Sequence, residues 1–215
     1  MADLVSGRYP QANPLWSLFG LQTNVLDNEA PVFSNAEWLG INGLADTSAS
    51  LVTQVMTVVP VPVDAGNSIS KISVLVGATA GATMTHQWAA LYAGTNTATP
   101  ALIGQTPDGT SGAIAASARF DFSFATPQLI TPALAPYGYV FAAIMVAAST
   151  VPSLATVPNG AAAVQYAWWS NTPGASFATV PGALAFSAGS SLGATAPTTL
   201  TSVAAKTVAP LVFLS

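Results

Sequence analysis

Between Ser68 and Ala93 the chain reads SISKISVLVGATAGATMTHQWAALYA. Ile72, Val74 and Val76 alternate with Lys71, Ser73 and Leu75, and Trp88, Ala90 and Tyr92 alternate with Gln87, Ala89 and Leu91. A period of two places successive side chains on opposite faces of a pleated strand. The stretch therefore predicts two strands, the first broken by Gly77 and Gly81, joined by an exposed loop of small residues from Ala78 to Thr85. A sharper alternation follows, with Ala118, Phe120, Phe122 and Phe124 on one face and Arg119, Asp121 and Ser123 on the other. One side of that strand is core and the other is wet. The run from Tyr139 to Ala148 is apolar at nearly every position, which predicts a central strand or one whose outer face meets a neighbour.

The remaining pattern is punctuated by turn and ladder breakers. Pro60 and Pro62 interrupt LVTQVMTVVPVPV, and because proline cannot donate to a ladder the segment is expected at a sheet edge or end. Asp64 to Asn67 form a turn, as do Pro107, Asp108 and Gly109, the latter inside a loop built around the short apolar run Ala101 to Ile103. Beyond Thr150 the texture loosens into Pro, Gly, Ser and Ala, but Tyr166, Trp168, Trp169, Phe177 and Phe186 argue against disorder. Two or three short strands with long loops are expected there, then a last strand from Val208 to Leu214. About eight strands at these spacings predict an all-β fold, an antiparallel two-sheet sandwich of jelly-roll type. Its core is expected to hold Ile72, Val74, Val76, Trp88, Phe120, Phe122, Phe124, Phe141 and Ile144.

Residues 1–45 read as an extended N-terminal arm ahead of a sandwich domain at 46–215. Trp16, Phe19, Phe33 and Trp38 occur among Pro10, Pro14 and Pro31 without a sustained period, so the arm does not bury them by folding alone. They require either a partner surface or the flank of the chain's own sandwich, and the partner is the expected one.

Composition narrows the function. Charged residues are 6% of the chain, against about 25% in an ordinary soluble domain. Four basic and eight acidic residues leave a net charge of -4, which disfavours nucleic acid, since phosphate binding needs a basic footprint. A surface of Ser, Thr, Asn, Gln, Ala and Gly offers little repulsion against association, so much of it is expected to meet other subunits. There is no cysteine and one histidine, which excludes disulfides and the usual zinc sites, and no cofactor is implied. The first residues lack a cationic segment followed by an apolar run, so synthesis and retention in a cytoplasm are expected. The longest apolar run is about half the ~20 residues a membrane helix needs.

Candidate chemistry is sparse. His86 is the one histidine, and no nucleophile elbow, phosphate loop or zinc-protease motif occurs. Asp108, in a turn, and Asp121, beside Arg119 on a polar strand face, are read as a turn cap and a surface pair rather than the facing carboxylates of a glycosidase. The expectation is a protein that is not an enzyme. Tyr166, Trp168 and Trp169 are a possible glycan platform, because flat rings stack on sugar faces, although adjacent strand residues point to opposite sides and only one tryptophan would meet a given ligand. Core or subunit contact is the competing reading for them.

The succession VPVDAGNSISKISVLVGATAGATMTHQWAALYAG, ALIGQT, ARFDFSFATPQLIT and PYGYVFAAIMVAASTVPSL resembles β-sandwich domains in virion proteins of tailed bacteriophages, especially those infecting actinobacteria. The resemblance covers about residues 52 to 154 in strand order and texture, and the closing APLVFL is similar to the terminal strand of such domains. It carries no catalytic motif. It implies a structural component of the virion, a capsid decoration or minor tail protein, attached to major capsid or tail proteins and assembled as a homotrimer. The alternative of a different class is a carbohydrate-binding module that recognises a host-surface glycan.

Overall fold

The structure, a computed structural model, describes residues 33–35, 45–94, 99–156, 185–201, 203–206 and 208–215, with the side chains of 45–50 and 205 left aside. Among the described residues the fold is all-β, without a helix. Two antiparallel sheets dominate. The four-stranded sheet runs, from edge to edge, through β1 (Phe33–Ser34), β12 (Val212–Leu214), β4 (Ser68–Leu75) and β7 (Arg119–Leu129). The six-stranded sheet runs through β11 (Ala204–Lys206), β10 (Ala185–Ala188), β3 (Met56–Pro62), β8 (Tyr139–Thr150), β5 (Ala82–Ala93) and β6 (Leu102–Gln105). A short ribbon of β2 (Ala45–Ser50) and β9 (Ser153–Thr156) closes one end, where Leu154 bridges to Val76 and Thr156 to Pro210.

β4 and β5 are not a hairpin. They lie in different sheets, β4 against β7 and β5 against β8, so the chain between them crosses from one layer to the other. The crossing is also shorter than the sequence suggests, because β5 begins at Ala82 and takes in Thr83, Thr85 and His86. Small polar residues read locally as loop, but β8 supplies a ladder that runs from Ala93↔Val140 out to Ala82↔Thr150.

β3 is likewise an inner strand, flanked by β8 and β10, despite its prolines. Strand backbones point alternately to their two neighbours. Val63 donates to Gly138 at the start of β8, so Val59 and Val61 face β8 while Pro60 and Pro62 face away from it. On that side the described pairing with β10 stops at Val58. No ladder donor is lost.

The register sorts the six-stranded sheet into two apolar faces. Leu91, Ala142 and Val59 form one row across β5, β8 and β3. Gly104, opposite Leu91, lies against the side chain of Gln128 in β7, so this row faces the four-stranded sheet. Opposite it stand Phe33, Leu214, Ile72 and Phe122 in register across β1, β12, β4 and β7. Of the expected core, Ile72, Val74, Val76, Trp88, Phe122, Phe124, Phe141 and Ile144 are buried, while Phe120 is partly buried against it. Phe33 takes its burial from the sandwich itself, at 4% exposure, and the last strand returns to the four-stranded sheet, over Val212–Leu214 and not from Val208.

The second apolar face of the six-stranded sheet holds Trp88, Tyr92 and Phe141, all at 1% exposure or less. A non-strand segment from Gly189 to Leu200 lies over it. Trp88 Nε1 donates to the Gly193 carbonyl at 2.7 Å and Tyr92 Oη to the Pro197 carbonyl at 2.9 Å. Gln105 clasps the segment twice, donating to Ala194 and accepting from the Ala196 N–H. Leu192 donates to Gln54, and Leu200 to Pro100. Burial explains why both polar aromatic tips are satisfied, since a buried hydroxyl or indole N–H left alone costs about 1–3 kcal/mol. Burial also pushes the Tyr92 hydroxyl well above the usual tyrosine range.

Two glycines are required by the backbone. Gly66 takes φ 95° in the Asp64–Asn67 turn, where the Asn67 side chain donates to Asp64 O at 3.0 Å. Gly94 passes so close to the Tyr139 carbonyl that a Cβ would collide with it.

Candidate functional site

β6 ends at Gln105, yet the edge of β5 remains paired beyond it. Thr106 N–H donates to Ala89 O, and the Thr106 hydroxyl accepts from Ala89 N–H at 2.9 Å. Pro107 then turns the chain. Asp108 Oδ1 accepts from Gln87 N–H at 3.1 Å, and Gly109 N–H donates back to Gln87 O. Two side chains thus continue the ladder where the neighbouring strand has stopped.

The other oxygen of Asp108 meets the histidine. His86 Nδ1 lies 2.6 Å from Asp108 Oδ2, with 32% of the imidazole and 14% of the carboxylate side chain exposed. A carboxylate accepting from an imidazole N–H fixes the ring's orientation and tautomer. Nε2 is the ring nitrogen left to other partners. Beside the pair, the buried Gln87 side chain donates to Gly112 O at 3.3 Å while its Oε1 has no partner among the described residues. Gly109 and Gly112 pack so tightly on the Gln87 carboxamide that a side chain at either would displace it. Chemically the pair can hold a hydrogen-bonding group or relay a proton at Nε2. Among the described residues no group of three His, Cys, Asp or Glu side chains converges to hold a metal.

A second polar cluster lies on the outer face of the four-stranded sheet. Arg119 Nη2 donates to Asp121 Oδ2 at 2.7 Å, and Lys71 Nζ is 3.8 Å from the same oxygen. Asp121 Oδ1 is buried without a partner among the described residues. The two aspartates therefore serve separate clusters, Asp108 as a cap on β5 and Asp121 as half of a surface pair with Arg119.

Lys206 in β11 has one partner among the described residues, Thr57 Oγ1 at 3.1 Å, and burial lowers its pKa. Tyr139 is pushed up to about 12 by burial, with Tyr137 adding to the shift.

Of the residues singled out from sequence, Phe33 sits in β1 opposite Leu214. Trp16, Phe19, Trp38, Tyr166, Trp168 and Trp169 lie outside the described residues. The His86–Asp108 contact was missed by sequence reading. The one available signal was that the chain's single histidine and a turn aspartate flank one strand edge. No protein-family model matches the chain, and no curated protein sequence matches it.

Proposed function

We propose that the chain is a non-enzymatic structural component of a bacteriophage virion, a capsid decoration or minor tail protein, with a sandwich of jelly-roll type. One observation supports the assembly role. Among the described residues Lys71, Arg119 and Asp121 gather in one cluster and Asp108 is tied to His86. The rest of the described surface is therefore left almost without charge. Such a surface resists association weakly. The jelly-roll reading is supported by the way consecutive β3 and β4 lie against consecutive β8 and β7, one pairing in each sheet. That is the arrangement of a two-stranded ribbon folded over into two layers.

Attachment is assigned to the N-terminal arm, through Trp16, Phe19 and Trp38. The test is mass spectrometry of purified virions, followed by reconstitution of particles lacking the protein with a chain that begins at residue 33, and so keeps β1, and that also carries Trp38→Ala. Absence from the virion overturns the reading; full occupancy by the shortened chain overturns the role of the arm. Binding on a glycan array that is lost in Trp168→Ala or Trp169→Ala, with no virion incorporation, establishes the carbohydrate-binding alternative instead.

A further inference from the structure

β7 is an edge strand: β4 pairs with one side of it, and no described strand pairs with the other. Its two halves differ. The β4–β7 register jumps from Ile69↔Gln128 to Lys71↔Ser123, so Phe124 to Pro127 bulge out of the ladder. A bulge and a proline are devices that stop edge-to-edge pairing. They protect the second half of β7 and leave Arg119 to Ser123 flat.

The backbone direction of this flat half follows from its neighbours. Val76 N–H donates to Ala118 O, so Ala118, Phe120 and Phe122 turn their main-chain groups toward β4. Arg119, Asp121 and Ser123 therefore turn theirs to the free edge. An unpaired row of this kind is a template for another strand, and the side chains say which one. When a strand pairs antiparallel with its own copy about a twofold axis, residue numbers across the pair have a constant sum. With Phe120 on the axis, Arg119 stands opposite Asp121 of the second copy, and Asp121 opposite its Arg119. Both are residues whose main-chain groups face outward, so each pair exchanges two backbone hydrogen bonds. With Asp121 on the axis instead, two carboxylates face each other, which is unfavourable.

Two further features fit the first register. Phe120 is only partly buried, unlike Phe122 and Phe124 at 5% and 7%, and it would pack on its own copy at the axis. Asp121 keeps 28% of its side chain exposed, and its Oδ2, which already accepts from Arg119 of its own chain, can accept from a second guanidinium, since a carboxylate takes several charge-assisted hydrogen bonds.

We propose that this edge is a self-association surface: a second copy of the chain adds its β7 antiparallel, Arg119 against Asp121, joining the two four-stranded sheets into one. The assembly is twofold, in place of the threefold that the phage resemblance implies.

The experiment is sedimentation velocity on the full chain and on two charge variants, Arg119→Asp and Asp121→Arg, each first shown to melt cooperatively. The full chain is expected to sediment as a dimer, and each variant alone as a monomer, because its edge carries one sign of charge. Mixed, the two variants are expected to form a one-to-one heterodimer. The Arg119–Asp121 pair within one chain cannot produce that result, since neither variant retains it. A monomeric or trimeric full chain, variants that still dimerise alone, or a mixture that stays monomeric each overturns the proposal. Should either variant fail to melt cooperatively, Asp121→Asn and Asp121→Pro replace them: the dimer is expected to weaken in the first and be lost in the second, which removes an edge N–H, and a dimer that survives Asp121→Pro overturns it.

Discussion

Asp108 holds His86 and Gln87 with its two oxygens, one on the imidazole Nδ1 at 2.6 Å and one on the main-chain N–H at 3.1 Å. A side chain from a turn thereby takes the place of a missing strand. Asp108→Ala is expected to lower stability by about 1–3 kcal/mol, the cost of leaving a part-buried donor unmet. Asp108→Asn, which keeps an acceptor for Gln87, should cost less. Urea denaturation measures both, and hydrogen exchange at the Gln87 amide should accelerate in the alanine variant. Equal protection in the two proteins would show that Asp108 does not carry the ladder.

Trp88 pins the Gly189–Leu200 segment through its indole N–H. Trp88→Phe removes that donor and some ring volume from a site with no exposure. A loss of about 2 kcal/mol is expected from the orphaned carbonyl and the cavity together. Cleavage by a nonspecific protease should then begin within Gly189 to Gly193, and an unchanged digestion pattern argues that the segment is held by other contacts.

Phe122 is buried between the sheets and Phe120 is half-buried at their edge, the two rings meeting edge to face at 4.9 Å. Phe122→Ala should cost about 3–5 kcal/mol, and Phe120→Ala distinctly less. Equal costs in chemical denaturation would mean that the β7 register is misassigned.

Thr83 adopts φ 52°, in the left-handed region, at an exposed position of β5. For a β-branched residue that conformation costs roughly 1–2 kcal/mol, and glycine avoids it at an entropic cost of about 0.5–1 kcal/mol. Thr83→Gly is therefore expected to raise stability by up to about 1.5 kcal/mol, read as a higher melting temperature. A destabilised variant would show that the hydroxyl or methyl makes a contact worth more than the strain.

Alkaline stability should follow the buried tyrosines. The Tyr139 hydroxyl is pushed from 10.0 up to about 12, and that of Tyr92 is also raised. The unfolded chain therefore loses these protons first. Their contribution is fully present below pH 10 and is lost as pH rises toward 12. Lys206 acts in the opposite sense: its pKa is lowered from 10.5, so its burial penalty is relieved as pH rises toward that value. Urea midpoints at successive pH values should decline above pH 10, less steeply in Tyr139→Phe. A flat profile to pH 12 would contradict the burial of both rings.

The alternation of Phe120, Phe122 and Phe124 with Arg119, Asp121 and Ser123, the apolar run of β8, and the Asp64–Asn67 turn were all legible from residue order. Each is a local consequence of the two-residue period or of turn chemistry, and strand existence, strand faces and much of the core follow from these. Which strands become neighbours does not. The run from Ile69 to Tyr92 suits a hairpin or a crossover equally well, and it was the partners β7 and β8, some fifty residues on, that drew β4 and β5 into separate layers. The prolines of β3 were admitted to an inner strand because β10 pairs only as far as Val58, a fact about a segment over a hundred residues away. The His86–Asp108 contact arose in the same manner. A two-residue period assigns a side chain to a face, but meeting across a strand edge depends on where β6 stops, and that is set by packing between distant parts of the chain.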